Sequence, residues 1–204
     1  MYALGTLLLR CVTVHSMRRC WVGRIDGVDH VPAQGPCIVI ANHASYVDFL
    51  ILGSIFESDF GRVLRFWAGE RITRHWLFRH YCERAGCLEL RQETITKGAW
   101  QASVQCLIQH GDFLCIFPEG TRTRTGKLQE FKLGYLRLAA HSGAPVIPVR
   151  LDQNFEVWPP QRPFPRLRKV SIVFHEPVRV ARGLSLSALR QLNADIRARY
   201  YHAS

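Results

Sequence analysis

The stretch CIVIANHASYVDFL, residues 37–50, decides the fold that the sequence predicts. Its first five residues, Cys37 to Ala41, form a continuous apolar run with the length of a buried strand. The apolar residues between Tyr46 and Phe56 then have the length of a helix, and Ser45 precedes them as a capping residue. A buried strand that leads directly into a helix is the repeating unit of an α/β sheet.

The same alternation continues along the rest of the chain. Apolar runs predict further strands at residues 63–68, 87–91, 113–117, 145–151 and 170–174. Helical spacing of apolar residues predicts helices at 74–82, 94–109, 133–141 and 184–201, and four prolines predict an irregular loop at 158–167. The sequence therefore predicts an α/β fold with a mixed, largely parallel central sheet flanked by helices.

Size and charge limit the classes of partner. With 204 residues, of which 48% are hydrophobic, the chain can bury the core of one domain. Its 27 Lys and Arg against 16 Asp and Glu give a formal net charge of +11. That excess favours phosphate-rich partners, which include anionic membranes, phospholipid headgroups and nucleic acid, and it does not choose among them.

The cysteines indicate a reducing compartment. There are seven, an odd number, and no two of them form a C-x-x-C pair. Cys37 and Cys115 lie within apolar runs typical of buried strands, so we interpret the cysteines as reduced thiols of the core. Reduced thiols place the active face of the protein in the cytosol.

The first 24 residues predict a segment that contacts a membrane. Their apolar stretch ends at Arg10, which is far short of the about 20 residues needed to span a bilayer. One helical face would carry the apolar side chains of Leu4, Leu7, Leu8, Val12 and Val14. The segment ends with two arginines and a tryptophan, which are Arg18, Arg19 and Trp21. This pattern predicts an amphipathic helix in the membrane interface over residues 1–24, followed by one domain over 25–204. A helix packed against its own domain would show the same periodicity.

The residues after the first strand carry an acid–base pattern. His43 follows the strand, and Asp48 lies five residues later, in the first turn of the predicted helix. An aspartate so placed can hydrogen-bond one ring nitrogen of the histidine, which leaves the other nitrogen to take a proton from a substrate hydroxyl. The alternative is a capping box, in which Ser45 and Asp48 only satisfy backbone N–H groups at the helix start.

A second pattern follows the strand at 113–117. The sequence FPEGTRTRTGK, residues 117–127, combines glycine, hydroxyl and guanidinium groups, which together suit an anion-binding loop. Its alternative interpretation is a solvated turn.

Taken together, the two patterns resemble the glycerolipid acyltransferase family, which includes the lysophosphatidic acid acyltransferases. The resemblance extends over about residues 37–151 and implies that His43 is the catalytic base and Asp48 its partner. It also implies a substrate-binding block that contains Glu119, Gly120, Thr121 and Arg122.

Weaker blocks agree with the family pattern in part. Arg91 matches a phosphate-contacting arginine, although Leu90 departs from the acidic or amide residue usual before it. Residues 146–149 match a strand near the active site and the acyl pocket. Gly69 stands where many relatives carry a lysine, and Lys127 and Arg124 are the candidates to supply that charge.

The resemblance implies transfer of a fatty acyl group from acyl-CoA or acyl-carrier protein to the hydroxyl of a lysophospholipid, with 1-acylglycerol-3-phosphate as acceptor and phosphatidic acid as product. It implies no metal and no bound cofactor, because a thioester is already activated. It also implies a peripheral enzyme on an anionic membrane surface, at the cytoplasmic face of the inner or plasma membrane. The alternatives are another lysolipid or glycerol-3-phosphate as acceptor, and a non-enzymatic basic lipid-binding module.

Other classes of function have less support in the sequence. His75, His80 and Glu83 are the nearest candidates for a metal site, but the two histidines are poorly spaced for one helical face. No G-x-S-x-G elbow of a serine hydrolase occurs. Residues 158–169 interleave basic and aromatic side chains, yet no nucleic-acid-binding motif accompanies them, so we expect no nucleic-acid partner. The same stretch suits a loop that contacts a membrane.

Overall fold

A single mixed sheet organises the protein. The computed structural model describes residues 15–69, 87–90 and 96–201. Within these residues seven strands lie in the order β1-β7-β6-β2-β5-β3-β4, which places β2 at the centre. The strands are β1 (Val22–Asp26), β2 (Cys37–Ala41), β3 (Leu64–Gly69), β4 (Leu88–Leu90), β5 (Phe113–Ile116), β6 (Val146–Asp152) and β7 (Val170–Phe174). Strands β2 to β6 run parallel, whereas β7 is antiparallel to β6 and β1 is parallel to β7.

Helices cover both faces of this sheet. Apart from the helical residues 15–21, the helices of the described residues are α1 (Asp48–Asp59), α2 (Lys97–Ile108), α3 (Gly134–Ser142), α4 (Asn154–Val157) and α5 (Leu186–Tyr201), and a 3₁₀ turn lies at Val28–His30. The predicted α/β architecture, with its mixed and largely parallel sheet, is confirmed. The helix predicted at 74–82 lies outside the described residues. Neither β1 nor α4 was predicted.

The alternation of side chains along β2 divides the core in two. Cys37, Val39 and Ala41 belong to the face covered by α1, while Ile38 and Ile40 belong to the face covered by α2, α3 and α5. All five residues are fully buried. This is the pattern of a central parallel strand, which is apolar throughout because helices cover both of its faces.

The predicted thiols of the core are in place. As the apolar runs indicated, Cys37 and Cys115 are buried, and Cys106 is buried with them. Burial raises the pKa of Cys106 to about 11 and the pKa of Cys115 well above its ordinary value. Among the described residues, neither these cysteines nor the partly buried Cys20 and Cys87 form a disulfide.

The N-terminal part of the described chain is tied to the domain. Residues 15–21 are helical and lead directly into β1, so the boundary predicted after residue 24 falls inside an edge strand. Arg18 donates to Ser58 Oγ at 2.8 Å, and the Trp21 indole donates to the Arg166 carbonyl at 3.0 Å. Over the described ranges, none of the helices combines the length and the apolar character that a membrane crossing requires.

Two side chains bridge β2 and β6 toward their carboxyl ends. The Tyr201 hydroxyl lies between them, since it donates to the Ile40 carbonyl at 2.8 Å and accepts from the Val149 N–H at 3.1 Å. Further on, the Asn42 amide donates to the Leu151 carbonyl at 2.9 Å and accepts the Leu151 N–H at 2.8 Å. Side-chain hydrogen bonds thus reinforce the pairing of β2 with β6 just where the chain leaves β2.

Candidate active site

The site lies at the carboxyl ends of three neighbouring parallel strands, which together form one edge of the sheet. The carboxyl end of β2 leads to His43, that of β5 leads to Glu119, and that of β6 leads to Asn154. Because β2 lies between β5 and β6, the three segments meet. Crevices at the carboxyl ends of parallel strands are where α/β proteins usually bind ligands.

His43 and Asp48 are in contact, as the resemblance to the acyltransferases implied. His43 Nδ1 lies 2.9 Å from Asp48 Oδ2, and Asp48 is fully buried. A carboxylate can only accept a hydrogen bond, so Nδ1 carries the ring proton and Nε2 keeps its lone pair. Among the described residues Nε2 has no hydrogen-bond partner, which leaves it available to a substrate.

Asp48 also organises the backbone around it. Its Oδ2 accepts the N–H groups of Ala44 and Ser45, each at 2.8 Å, and its Oδ1 accepts the Asn154 amide at 3.0 Å. Half of the capping-box alternative is therefore real, since Asp48 does accept the Ser45 N–H. The reciprocal half differs, because the Asp48 N–H donates to the Ser45 carbonyl at 3.5 Å rather than to its hydroxyl. One carboxylate thus orients the imidazole and closes the turn.

The surroundings of His43 keep its imidazole neutral. Its ring stacks on Phe117 with centroids 4.0 Å apart and planes 15° apart. Burial lowers the pKa of His43 below its ordinary value, Asp48 acts in the opposite direction, and the charge of Arg122 lowers it further. A neutral histidine with a free Nε2 is the form that a general base requires.

Glu119 holds the two loops of the site together. Its Oε1 accepts the His43 N–H at 2.7 Å and its Oε2 accepts the Gln129 N–H at 2.9 Å. The Thr123 N–H in turn donates to the His43 carbonyl at 2.9 Å. Both carboxylate oxygens are thus engaged with backbone groups, and burial raises the pKa of Glu119. In this arrangement Glu119 fixes the position of His43, and its predicted contact with the acceptor stays a prediction.

The predicted anion-binding residues lie beside the histidine. Gly120 and Thr121 are exposed, and Arg122 is half-buried with its guanidinium 3.7 Å from the centre of the Tyr46 ring. Stacking on an aromatic face holds a guanidinium in place while its N–H groups stay free for an oxyanion. Arg122 is close enough to His43 for its charge to lower the histidine pKa.

Lys132 adds a positive charge that the sequence analysis did not single out. Its side chain covers Gly120 so closely that a Cβ there would lie 2.5 Å from Nζ, and Gly120 adopts the left-handed φ of +77° that favours glycine. The Lys132 N–H donates to the Pro118 carbonyl at 2.8 Å. Lys127 and Arg124, the candidates for the charge missing at Gly69, are exposed. Lys132 lies beyond the quoted motif, so only the fold connects it with Gly120.

Some predicted residues cannot be placed. Arg91, the predicted phosphate contact, lies outside the described residues, as do His75, His80 and Glu83. Within residues 15–69, 87–90 and 96–201, no three His, Cys, Asp or Glu side chains come together in a way that could hold a metal ion.

Known proteins are similar to this chain over the part that contains the site. The family model described as Acyltransferase matches residues 23–152, which include every element that brings His43, Asp48 and Glu119 together. A 1-acyl-sn-glycerol-3-phosphate acyltransferase alpha of Mus musculus is 28% identical over 73% of this chain and 50% of its own length. A chloroplast 1-acyl-sn-glycerol-3-phosphate acyltransferase of Brassica napus is 26% identical over 76% of this chain and 44% of its own. The chain thus spans about half the length of these relatives.

A solved structure shares the fold. The crystal structure of the 1-acyl-sn-glycerophosphate acyltransferase of Thermotoga maritima superposes with a TM-score of 0.73 and 23% sequence identity. The similarity covers 100% of this chain and 90% of the other. The arrangement of strands and helices around the site is therefore one that occurs in a solved acyltransferase.

Proposed function

Because this chain belongs to the acyltransferase family, we propose that it transfers a fatty acyl group from acyl-CoA or acyl-carrier protein to the hydroxyl of a lysophospholipid. The proposed acceptor is 1-acylglycerol-3-phosphate and the product phosphatidic acid, in keeping with the names of its relatives. The observation that carries the proposal is the His43–Asp48 contact of 2.9 Å with Nε2 left free, which a binding module would not require.

The proposed reaction is a direct transfer. His43 Nε2 takes the proton of the acceptor hydroxyl while the hydroxyl oxygen attacks the thioester carbonyl. Asp48 stabilises the imidazolium that forms. The tetrahedral intermediate then collapses, the carbon–sulfur bond breaks, and the departing thiolate receives the proton from Nε2. Each step uses groups already in position.

The nucleophiles near His43 argue against an acyl-enzyme. Ser45 is fully buried, and its Oγ accepts the Trp158 N–H at 3.1 Å. Cys37 and Cys115 are buried in the core, where burial raises the pKa of both thiols. A thiol held neutral by burial is a poor nucleophile. The acceptor hydroxyl is thus the nucleophile in the proposed mechanism.

Arg122 and Lys132 are the proposed contacts of the acceptor phosphate. Both side chains belong to the segment after β5, and neither has an acidic partner among the described residues. A phosphate bound between them would present the adjoining glycerol hydroxyl toward His43. Arginine can hold phosphate through two parallel hydrogen bonds, and lysine adds a point charge.

Replacement of His43 tests the proposal. With labelled acyl-CoA or acyl-carrier protein and a panel of lysolipids and glycerol-3-phosphate, wild type should form phosphatidic acid, read by mass spectrometry. His43→Ala should lower turnover by roughly two to four orders of magnitude, the range typical of a lost general base, and should still fold. His141→Ala, on the surface end of α3, serves as the matched control and should keep wild-type turnover. Lipid binding without turnover in wild type would favour the non-enzymatic alternative.

We further propose that the protein works as a peripheral enzyme on an anionic membrane, at its cytoplasmic face. The net charge of +11 and the membrane-resident acceptor support this location.

A further inference from the structure

A second surface lies at the edge of the sheet that carries the site. β6 ends at this edge and β7 begins there at Val170, so residues 159–169, which connect them, stay on the same side as His43. β1 is parallel to β7, with Val22 beside Val170, so the helical residues 15–21 end at this edge too.

Residues 159–169, the 159–169 loop, expose two large apolar side chains. Phe164 is 76% exposed and Leu167 is 80% exposed. Among the described residues the next most exposed large apolar side chain is Ile108 at 53%, which lies near the amino ends of the parallel strands, opposite the site. The exposure of two large apolar side chains to water is unfavourable. Exposed apolar patches of this kind are typical of interaction surfaces.

This exposure belongs to an ordered loop. The Arg166 N–H donates to the Val157 carbonyl at 2.9 Å, and the Arg166 carbonyl accepts the Trp21 indole at 3.0 Å. The Trp158 indole donates to the Arg162 carbonyl at 3.1 Å. Four prolines in the loop fix the backbone and carry no N–H that would have to leave water. The loop would therefore lose little conformational entropy on docking.

The charge of the loop selects an anionic partner. It contains four basic residues and no acidic residue. Arg168 pairs with Glu156 at 2.9 Å and Lys169 donates to the Val22 carbonyl at 3.1 Å, so these two are engaged within the protein. Arg162 and Arg166 have no acidic partner in the described part of the chain. Arg162 Nη1 donates to the Glu156 carbonyl at 3.4 Å, which leaves its charge unpaired, so both positive charges remain for negative groups outside the molecule.

We propose that the 159–169 loop docks the enzyme on an anionic phospholipid bilayer, with Phe164 and Leu167 inserted at the boundary of headgroups and acyl chains and Arg162 and Arg166 on lipid phosphates. The bilayer fits better than nucleic acid because Leu167, the most exposed apolar side chain, cannot stack on a base. The inference extends the proposed function, since it places the catalytic edge against the membrane that holds the acceptor.

Vesicle co-sedimentation tests the docking without any need for turnover. The full chain is mixed with vesicles of phosphatidylcholine, with and without phosphatidylglycerol, at low and high salt. Phe164→Ser with Leu167→Ser should lower the partition coefficient at least about tenfold at either salt. Arg162→Gln with Arg166→Gln should lower it about fivefold per side chain on phosphatidylglycerol vesicles at low salt only.

Matched variants control for lost apolar surface and lost charge. Val63→Ser with Ile108→Ser changes exposed apolar residues near the opposite edge, and Arg137→Gln with Arg190→Gln removes two exposed charges from α3 and α5. Both should bind vesicles as wild type does. Wild-type binding by the Phe164 and Leu167 variant would overturn the proposal. The proposal would also be overturned if the loop variants bound vesicles as wild type does but lost binding to a single-stranded RNA oligonucleotide.

Turnover of a short-chain, water-soluble lysophosphatidic acid separates this inference from the proposed function. The Phe164 and Leu167 variant should keep that turnover while losing turnover of a long-chain acceptor presented in vesicles. If wild type turned over neither acceptor, the proposed function would fail, and co-sedimentation would still decide the docking.

Discussion

At the scale of single residues, Asp48 has two roles that one substitution can separate. Asparagine can present its oxygen to the three donors on Asp48 Oδ2, and the Asn154 amide can turn over to accept the new NH₂ group. The turn should therefore survive in Asp48→Asn, whereas the negative charge that stabilises the imidazolium is lost. We expect turnover to fall by about a hundredfold or more, with the melting temperature little changed.

The control for this variant is Asp59→Asn, at the last turn of α1, which pairs with Arg18 at the surface and should keep full turnover. Full activity in Asp48→Asn would mean that Asp48 serves only as a helix cap.

Arg122 should control the acid limb of the pH profile. The base is active when neutral, so kcat/KM should fall as the pH drops through the His43 pKa, which burial holds below 6.5. The charge of Arg122 lowers that pKa, and its removal in Arg122→Gln should therefore move the acid limb toward higher pH. Arg124→Gln removes the same charge from an exposed position and should leave the limb in place. An unmoved limb in Arg122→Gln would show that the two side chains are not coupled.

Some residues of the site could be predicted from the sequence and others could not, for a physical reason. His43 and Asp48 are five positions apart, so one turn of chain can bring them together, and the match of this stretch to the family pattern predicted the contact. Asn154 and Lys132 belong to segments far away in sequence, and only the pairing of β6 with β2 and the course of the chain after β5 bring them in. No local sequence pattern predicts a contact between segments that lie so far apart in the chain.

At the scale of elements, Glu119 is the connection between the loops after β2 and β5. Its two oxygens accept the N–H groups of His43 and Gln129, and a glutamine has only one acceptor oxygen. In Glu119→Gln one buried N–H would face an NH₂ group and stay unpaired, at a cost of about 1–3 kcal/mol in the free energy of unfolding. Urea unfolding measures this cost.

We expect Glu119→Gln also to lower turnover, because His43 loses a fixed position. Glu130→Gln makes the same change at an exposed residue that pairs with Arg197, and should alter the free energy of unfolding by less than about 1 kcal/mol. Equal stability of the two variants would contradict the role assigned to Glu119.

The elements that the sequence predicted are those that periodicity marks most strongly. β2 and β7 have the predicted limits, and α1 is displaced by only a few residues because Asp48, not Tyr46, begins it. β1 was missed because VGRID is short and carries two charged residues, as suits a strand that pairs, within the described residues, with β7 alone. α4 was missed because four residues are too few to show a helical period.

At the scale of the whole molecule, the first 14 residues should add to membrane binding. Leu4, Leu7 and Leu8 would contribute apolar burial that salt does not weaken, so a chain beginning at His15 should lose part of the vesicle binding that persists at high salt. The shortened chain begins at His15 and not at the predicted boundary after residue 24, because removal of Val22 would break the pairing of β1 with β7. Equal co-sedimentation of the two chains would remove the anchoring role from residues 1–14.

The position of Tyr201 has a consequence for the order in which the protein becomes active. A ribosome makes β2, β5 and β6 long before it makes Tyr201, which follows Ile40 by 161 residues. Until α5 has been made and has packed, the Ile40 carbonyl and the Val149 N–H lack the hydroxyl that joins them. A nascent chain therefore carries His43 and Asp48 well before the end of β2 that leads to them has all of its contacts, and we expect activity only after α5 has left the exit tunnel.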